Sequence, residues 1–209
     1  MQNIYDRQKA LELSIPHSVL VIGVGGIGSW VALNLALVGV KQLALVDPDK
    51  IEPHNLNRTP FRLSDIGRPK VDALVDLILE RRVDINIEPY QNKIEDLIAL
   101  DYIDVNLFDY IIDCRDRFNP LEVEKKNYVK LGYDGKALTL HFNPSPQSAW
   151  GEGAGGYEVI PSYLVPPQLL AGLITEIITS SKFPDEEVII NLTTEDIVKF
   201  LFDRAGKLV

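Results

Sequence analysis

Six residues, Gly23-Val24-Gly25-Gly26-Ile27-Gly28, join a short apolar run, Ser18 to Gly23, to an apolar-rich segment from Ile27 to Val38. The run is strand-sized and the segment is long enough for a buried helix, so the pattern predicts strand, tight turn and helix. A G-x-G-x-x-G turn gains meaning only in that context. Gly23 permits the turn, Gly25 lets the backbone approach a phosphate or ribose, and Gly28 lets helix and strand pack closely. The helix N-terminus favours negative charge. Asp47 ends the next apolar run, QLALVD, about twenty residues on, where an acid can accept hydrogen bonds from ribose hydroxyls.

The same alternation continues along the chain. A helix is expected from Lys70 to Arg82, strands at NIEPY from Asn86 and at Asp109 to Cys114, and a helix from Pro120 to Leu131. A strand at Ala137 to Phe142, a helix at Gln168 to Ser180, a strand at VIINL and a capped helix at Thr194 to Phe202 complete the pattern. Strands alternating with helices imply an α/β Rossmann-like, doubly wound, mostly parallel sheet with helices on both faces. Residues 143–167 hold four glycines and five prolines, which marks a long surface loop, broken at most by YEVIPSYLV.

With 209 residues the chain is expected to form one domain, preceded by an N-terminal segment over 1–17. A formal net charge of -9 argues against nucleic acid as the main partner. The single cysteine, Cys114, excludes an internal disulfide, and no Cys/His cluster has zinc spacing, so a reducing cytoplasm is the expected location. No signal-peptide pattern and no membrane-length apolar run is expected.

DPDKIEPHNLNRTPFRLSDIGRPK, Asp47 to Lys70, then departs from an ordinary dinucleotide site. Asn55, Arg58 and Lys70 put amide and cationic donors beyond the ribose position, which suits a triphosphate better than the pyrophosphate and hydride path of a nicotinamide or flavin oxidoreductase. ATP is the expected ligand.

GVGGIGS, LVDPDKIEPHNLNRTPF, DIGRPKVDAL and DYIIDCRDRF, in that order from Gly23 to Phe118, resemble the ubiquitin-activating E1 superfamily, in particular its short ThiF/MoeB/MccB-like members. The resemblance implies a Rossmann-like domain that binds Mg-ATP and adenylates the C-terminal carboxylate of a ubiquitin-like β-grasp protein or a peptide. It implies that Gly23, Gly25, Gly26, Gly28, Asp47 and Asp49 hold the nucleotide. Asn55 and Arg58 would contact phosphates, Lys70 would bridge them around the scissile bond, and Asp116 would bind magnesium. IYDRQ, Ile4 to Gln8, is similar to the family's RYxRQ start, so Arg7 would reach across a homodimer into the neighbouring ATP site.

Departures from the family pattern are informative. Arginine, Arg117, stands where the family has asparagine after the metal-binding acid. The paired CxxC zinc ligands and the later acceptor cysteine are missing, and Cys114 at a strand end is expected to be a packing residue. Adenylation without an enzyme thioester is therefore expected. Residues 142–167, with Trp150, Tyr157 and Tyr163, fall where relatives clamp the incoming tail. A non-catalytic E1-like partner or scaffold subunit is the alternative.

Overall fold

The computed structural model describes residues 4–116, 120, 121, 123, 127–145, 148 and 161–205. In chain order the elements are β1 (Ser18–Ile22), α1 (Gly26–Val38), β2 (Gln42–Val46), α2 (Lys70–Leu79), β3 (Asn86–Tyr90) and α3 (Ile94–Ala99). They continue with β4 (Tyr110–Asp113), β5 (Tyr128–Asp134), β6 (Ala137–Phe142), α4 (Val165–Thr179), β7 (Val188–Thr193) and α5 (Thr194–Ala205). The strands form one sheet in the order β3-β2-β1-β4-β5-β6-β7. The first five are parallel, whereas β6 runs antiparallel to β5 and β7 to β6.

Strand β1 is buried along its whole length, because both sheet faces are covered there. Val19, Val21, Leu43, Leu45 and Ile112 join one core cluster with residues of α1, α2 and α4. Leu20, Ile22, Ala44, Val46 and Ile111 alternate with them and join a second cluster with Ile94 and Leu97 of α3. Period-two alternation thus divides consecutive strand residues between two cores. Helix α1 is apolar almost all round, as a helix wedged between the sheet and neighbouring helices must be. Truncating one of its fully buried residues, as in Leu35→Ala, should cost about 2–5 kcal/mol.

The α/β, mostly parallel architecture agrees with the sequence pattern, with three corrections. The expected helix from Pro120 to Leu131 is overturned by β5, which begins at Tyr128. Lys130 misled the pattern: a lysine normally marks solvent, but this one is fully buried. A short helix, α3, lies between β3 and β4, where Ile94 and Leu97 are buried, Ile98 packs beside them, and the periodic signal is too brief to register. Helix α4 starts at Val165, since Pro166 and Pro167 occupy first-turn positions where their missing N–H groups cost nothing. That shortens the expected loop. Trp150, Tyr157 and most of YEVIPSYLV lie outside the described residues, as do Arg117 and Phe118. Among the described residues no helix is long and apolar enough to cross a membrane.

Candidate nucleotide site

The chain runs from β1 outward through β2 to β3, then returns to place β4 on the other side of β1. Such a reversal opens a crevice beyond the carboxyl ends of the central strands. A cleft of about 200 Å³ lies there, walled by Gly23, Asp49, Lys93, Glu95, Arg115 and Asp116.

The glycine turn is shaped by contact. Gly23 has φ +81°, and a Cβ on it would lie 3.0 Å from the Cys114 backbone, so the turn is pressed against the end of β4. A Cβ on Gly28 would lie 1.9 Å from the Gly23 carbonyl oxygen, which no side chain can meet. Gly25 instead faces open space.

Asp47 closes the turn. Its Oδ2 accepts from Val24 N–H at 2.8 Å and its Oδ1 from Asp49 N–H at 2.8 Å. It is 5% exposed, and burial pushes its carboxyl above the ordinary range, with Lys70 and the two backbone donors opposing the shift. Lys70 begins α2, its backbone N–H bonds to the Asp49 carbonyl, and its Nζ lies 2.8 Å from Asp49 Oδ2 and 3.7 Å from Asp47 Oδ1. Asp49 therefore lines the cleft.

Asn55 and Arg58 lie in the loop between β2 and α2. Asn55 Oδ1 accepts from Glu52 N–H at 3.0 Å, closing a 3-10 turn. Arg58 Nη1 donates to the His54 carbonyl and to Asn57 Oδ1, while Trp30 Nε1 donates to the Arg58 carbonyl at 2.9 Å. The Arg58 side chain passes close to Gly26: its Cδ is 3.5 Å from where a Gly26 Cβ would sit. Arg58, Gly26 and Tyr133 thus converge at the N-terminus of α1.

Arg7 is not brought to this region. Gln8 Nε2 donates to the Val38 carbonyl, and Tyr5 stacks beneath Arg82 near Gly39, so the N-terminal segment docks at the far end of α1. A helix of 13 residues separates the two ends by about 20 Å.

At the end of β4, the fully buried Asp113 accepts from Arg115 Nε at 2.9 Å, Arg115 Nη2 at 2.7 Å and the Tyr128 hydroxyl at 2.9 Å. Arg115 also donates to Glu95 on α3, and Lys130 Nζ donates to the Arg115 carbonyl at 3.0 Å. Burial lowers the Lys130 pKa against the pull of Asp113. Burial, with Asp113 adding repulsion, pushes the Cys114 thiol far up, which opposes thiolate formation. The acid acting on the thiol is Asp113. Sequence inspection missed Lys93, Glu95, Lys130 and Tyr133; only Arg115 stood inside a quoted motif, and the others carry no local signal.

Asp116 stands exposed on the cleft wall. Among the described residues no cluster of three or more His, Cys, Asp or Glu forms a complete metal site. Magnesium commonly takes one or two carboxylates and completes its shell with water and substrate phosphates, so an exposed cleft carboxylate such as Asp116 fits it.

A family model described as the ThiF family matches residues 4–124. The NEDD8-activating enzyme E1 catalytic subunit of Arabidopsis thaliana is 38% identical over 112 residues, which cover 53% of this chain and 23% of that protein. The adenylyltransferase and sulfurtransferase MOCS3-1 of Zea mays is 30% identical over 140 residues, covering 62% of this chain and 30% of that one. The matches therefore span well under half of these relatives' own lengths. Among solved structures, E. coli MccB with ATP superposes with a TM-score of 0.64 at 20% identity, covering 92% of this chain and 72% of that chain. PaaA gives 0.62 at 23% identity, covering 86% and 61%. At those identities the structural likeness speaks for the fold.

Proposed function

The chain belongs to the ThiF family, and from that premise we propose that it binds Mg-ATP and adenylates the C-terminal carboxylate of a ubiquitin-like protein or peptide, releasing pyrophosphate. One observation carries this reading: the glycine turn, the Lys70-held Asp49 and Asp116 meet around one cleft at the carboxyl ends of β1, β2 and β4. The curated relatives are named as activating enzymes and adenylyltransferases, which supports adenylyl transfer.

The chemistry asks for charge management. A carboxylate attacking the α-phosphorus is already ionised, so the protein needs no general base; it must align two anions and neutralise the charge that develops. In this proposal the backbone around Gly25 and the α1 N-terminus face phosphate, and the remaining lone pairs of Asp47 accept from the ribose. Arg58 turns from its own loop to the phosphates, assisted by the Asn55 amide. Lys70 leaves Asp49 for the leaving pyrophosphate, and Asp116 holds magnesium. Bound magnesium would screen phosphate charge. Arg7, remote from its own cleft, would serve the cleft of a second copy. The raised thiol of Cys114 supports release of the acyl-adenylate without an enzyme thioester.

Calorimetric titration with ATP and NAD, followed by substrate-dependent exchange of pyrophosphate into ATP, tests the reading. Preference for ATP and measurable exchange are expected. Tight NAD binding without response to ATP would refute it, while ATP binding without exchange would identify a nucleotide-binding partner subunit.

A further inference from the structure

Trp30 sits half-buried on α1, packed against the core that this helix shares with α2 and α4. Its indole carries one polar group, and that Nε1 donates to the Arg58 carbonyl at 2.9 Å. A core aromatic thus spends its only hydrogen bond on the loop that holds a candidate phosphate ligand.

Gly26 and Trp30 are four residues apart on α1, so they share a face, with Gly26 about 6 Å nearer the N-terminus. Arg58 lies along that face. Its carbonyl is held at Trp30, while its Cδ passes 3.5 Å from where a Gly26 Cβ would be. The side chain therefore runs from the second turn of the helix towards its N-terminal amides, the end that favours phosphate. The Tyr133 hydroxyl stands 3.0 Å from the same Cβ position, so Gly26, by lacking a side chain, keeps the passage open.

The backbone and the head of Arg58 are held differently. Arg58 N–H donates to the Asn55 carbonyl at 3.2 Å, the Thr59 hydroxyl donates to that carbonyl at 2.9 Å, and Asn55 and Thr59 are buried. Ile51 and Phe61 sink both ends of this loop into the core. The guanidinium instead rests at the surface, where Nη1 donates to the His54 carbonyl and Asn57 Oδ1. Exposed bonds to neutral acceptors exchange at little cost for charge-assisted bonds to phosphate.

We propose that Trp30 is a positioning residue: its indole N–H pins the Arg58 backbone to α1, so that the guanidinium can leave His54 and Asn57 for a nucleotide phosphate while its root stays fixed. The inference rests on the phosphate role given to Arg58 above. It places the arginine and the amides of the α1 N-terminus on one rigid body, which removes the ordering cost that a loose loop would carry on binding. Trp30 acts only through Arg58.

The test is a double-mutant cycle on nucleotide affinity. Trp30→Phe keeps an aromatic ring in the core and removes the N–H. In calorimetric titration with Mg-ATP it should weaken binding about tenfold, and Arg58→Ala about tenfold to a hundredfold. The double variant should bind no more weakly than Arg58→Ala alone, because the tryptophan then has no guanidinium to place. Adenosine, which carries no phosphate, should bind all four proteins alike when measured by displacement, whereas general damage to the site would weaken it too. Unchanged ATP affinity in Trp30→Phe or in Arg58→Ala, additive losses in the double variant, or an equal loss for adenosine would overturn the role of Trp30 and leave the ATP reading standing. Failure of the unmodified protein to bind ATP would overturn both.

Discussion

Lys70 and Lys130 both meet carboxylates, in opposite surroundings. Lys70, itself buried, bonds Asp49, whose side chain is 64% exposed at the mouth of a cleft. Lys130 and Asp113 are both fully buried, with Arg115 and Tyr128 completing the group. A desolvated ionic cluster is costly and is held only by complete mutual satisfaction, so its members are not free to serve a ligand. The open pair sacrifices little when a lysine changes partner. The contrast assigns geometry to one cluster and chemistry to the other.

The largest effect should come from breaking the buried group. Asp113→Ala removes the carboxylate shared by Arg115 and the fully buried Lys130, and should destabilise the fold by about 3–5 kcal/mol in urea denaturation. A loss below about 1 kcal/mol would show that water reaches the cluster and would dissolve the distinction.

Lys70→Ala should do the reverse. It should lower pyrophosphate exchange by roughly 100-fold to 1,000-fold, the usual result of removing one donor from developing charge, with the unfolding transition little moved. Should Lys70→Ala unfold the protein as severely as Asp113→Ala, the open pair would be structural after all.

Cys114 lies between the two regions. Cys114→Ala should cost about 1 kcal/mol of stability, through lost packing, and should retain adenylate formation. On non-reducing gels, the unmodified protein incubated with ATP and substrate should show no thiol-cleavable adduct; an adduct that disappears in Cys114→Ala would make this half-buried thiol an acceptor.

The smallest effect concerns Asp47. Its folded pKa is raised by burial, so its contribution to stability is complete below the ordinary carboxylate range and is lost as pH rises through the raised value. Denaturation measured from about pH 4 upward should show the protein losing a fraction of a kcal/mol relative to Asp47→Asn in that window. The same substitution should weaken ATP binding. An unchanged pH profile would mean that Lys70 and the turn amides fully offset the burial.

Strand β1, the glycine turn, α1 and β2 were legible from the residues alone, because apolar periodicity and the steric demands of Gly23 and Gly28 are local. The order of the Asp47–Lys70 and Asp109–Phe118 motifs likewise marks the candidate site in the sequence. Asp49, Gly23 and Asp116 do share a cleft, whereas Asn55 and Arg58 bond within their own loop and Arg7 sits at the far end of α1. Tertiary structure decided the rest. Whether Lys130 marks solvent or a buried strand depends on Asp113, a partner on another strand, and whether Tyr133 stands over Gly26 depends on how far β5 outruns β4. The sequence carries the propensity of each segment; the burial of a charge is a property of what lies beside it, which only packing supplies.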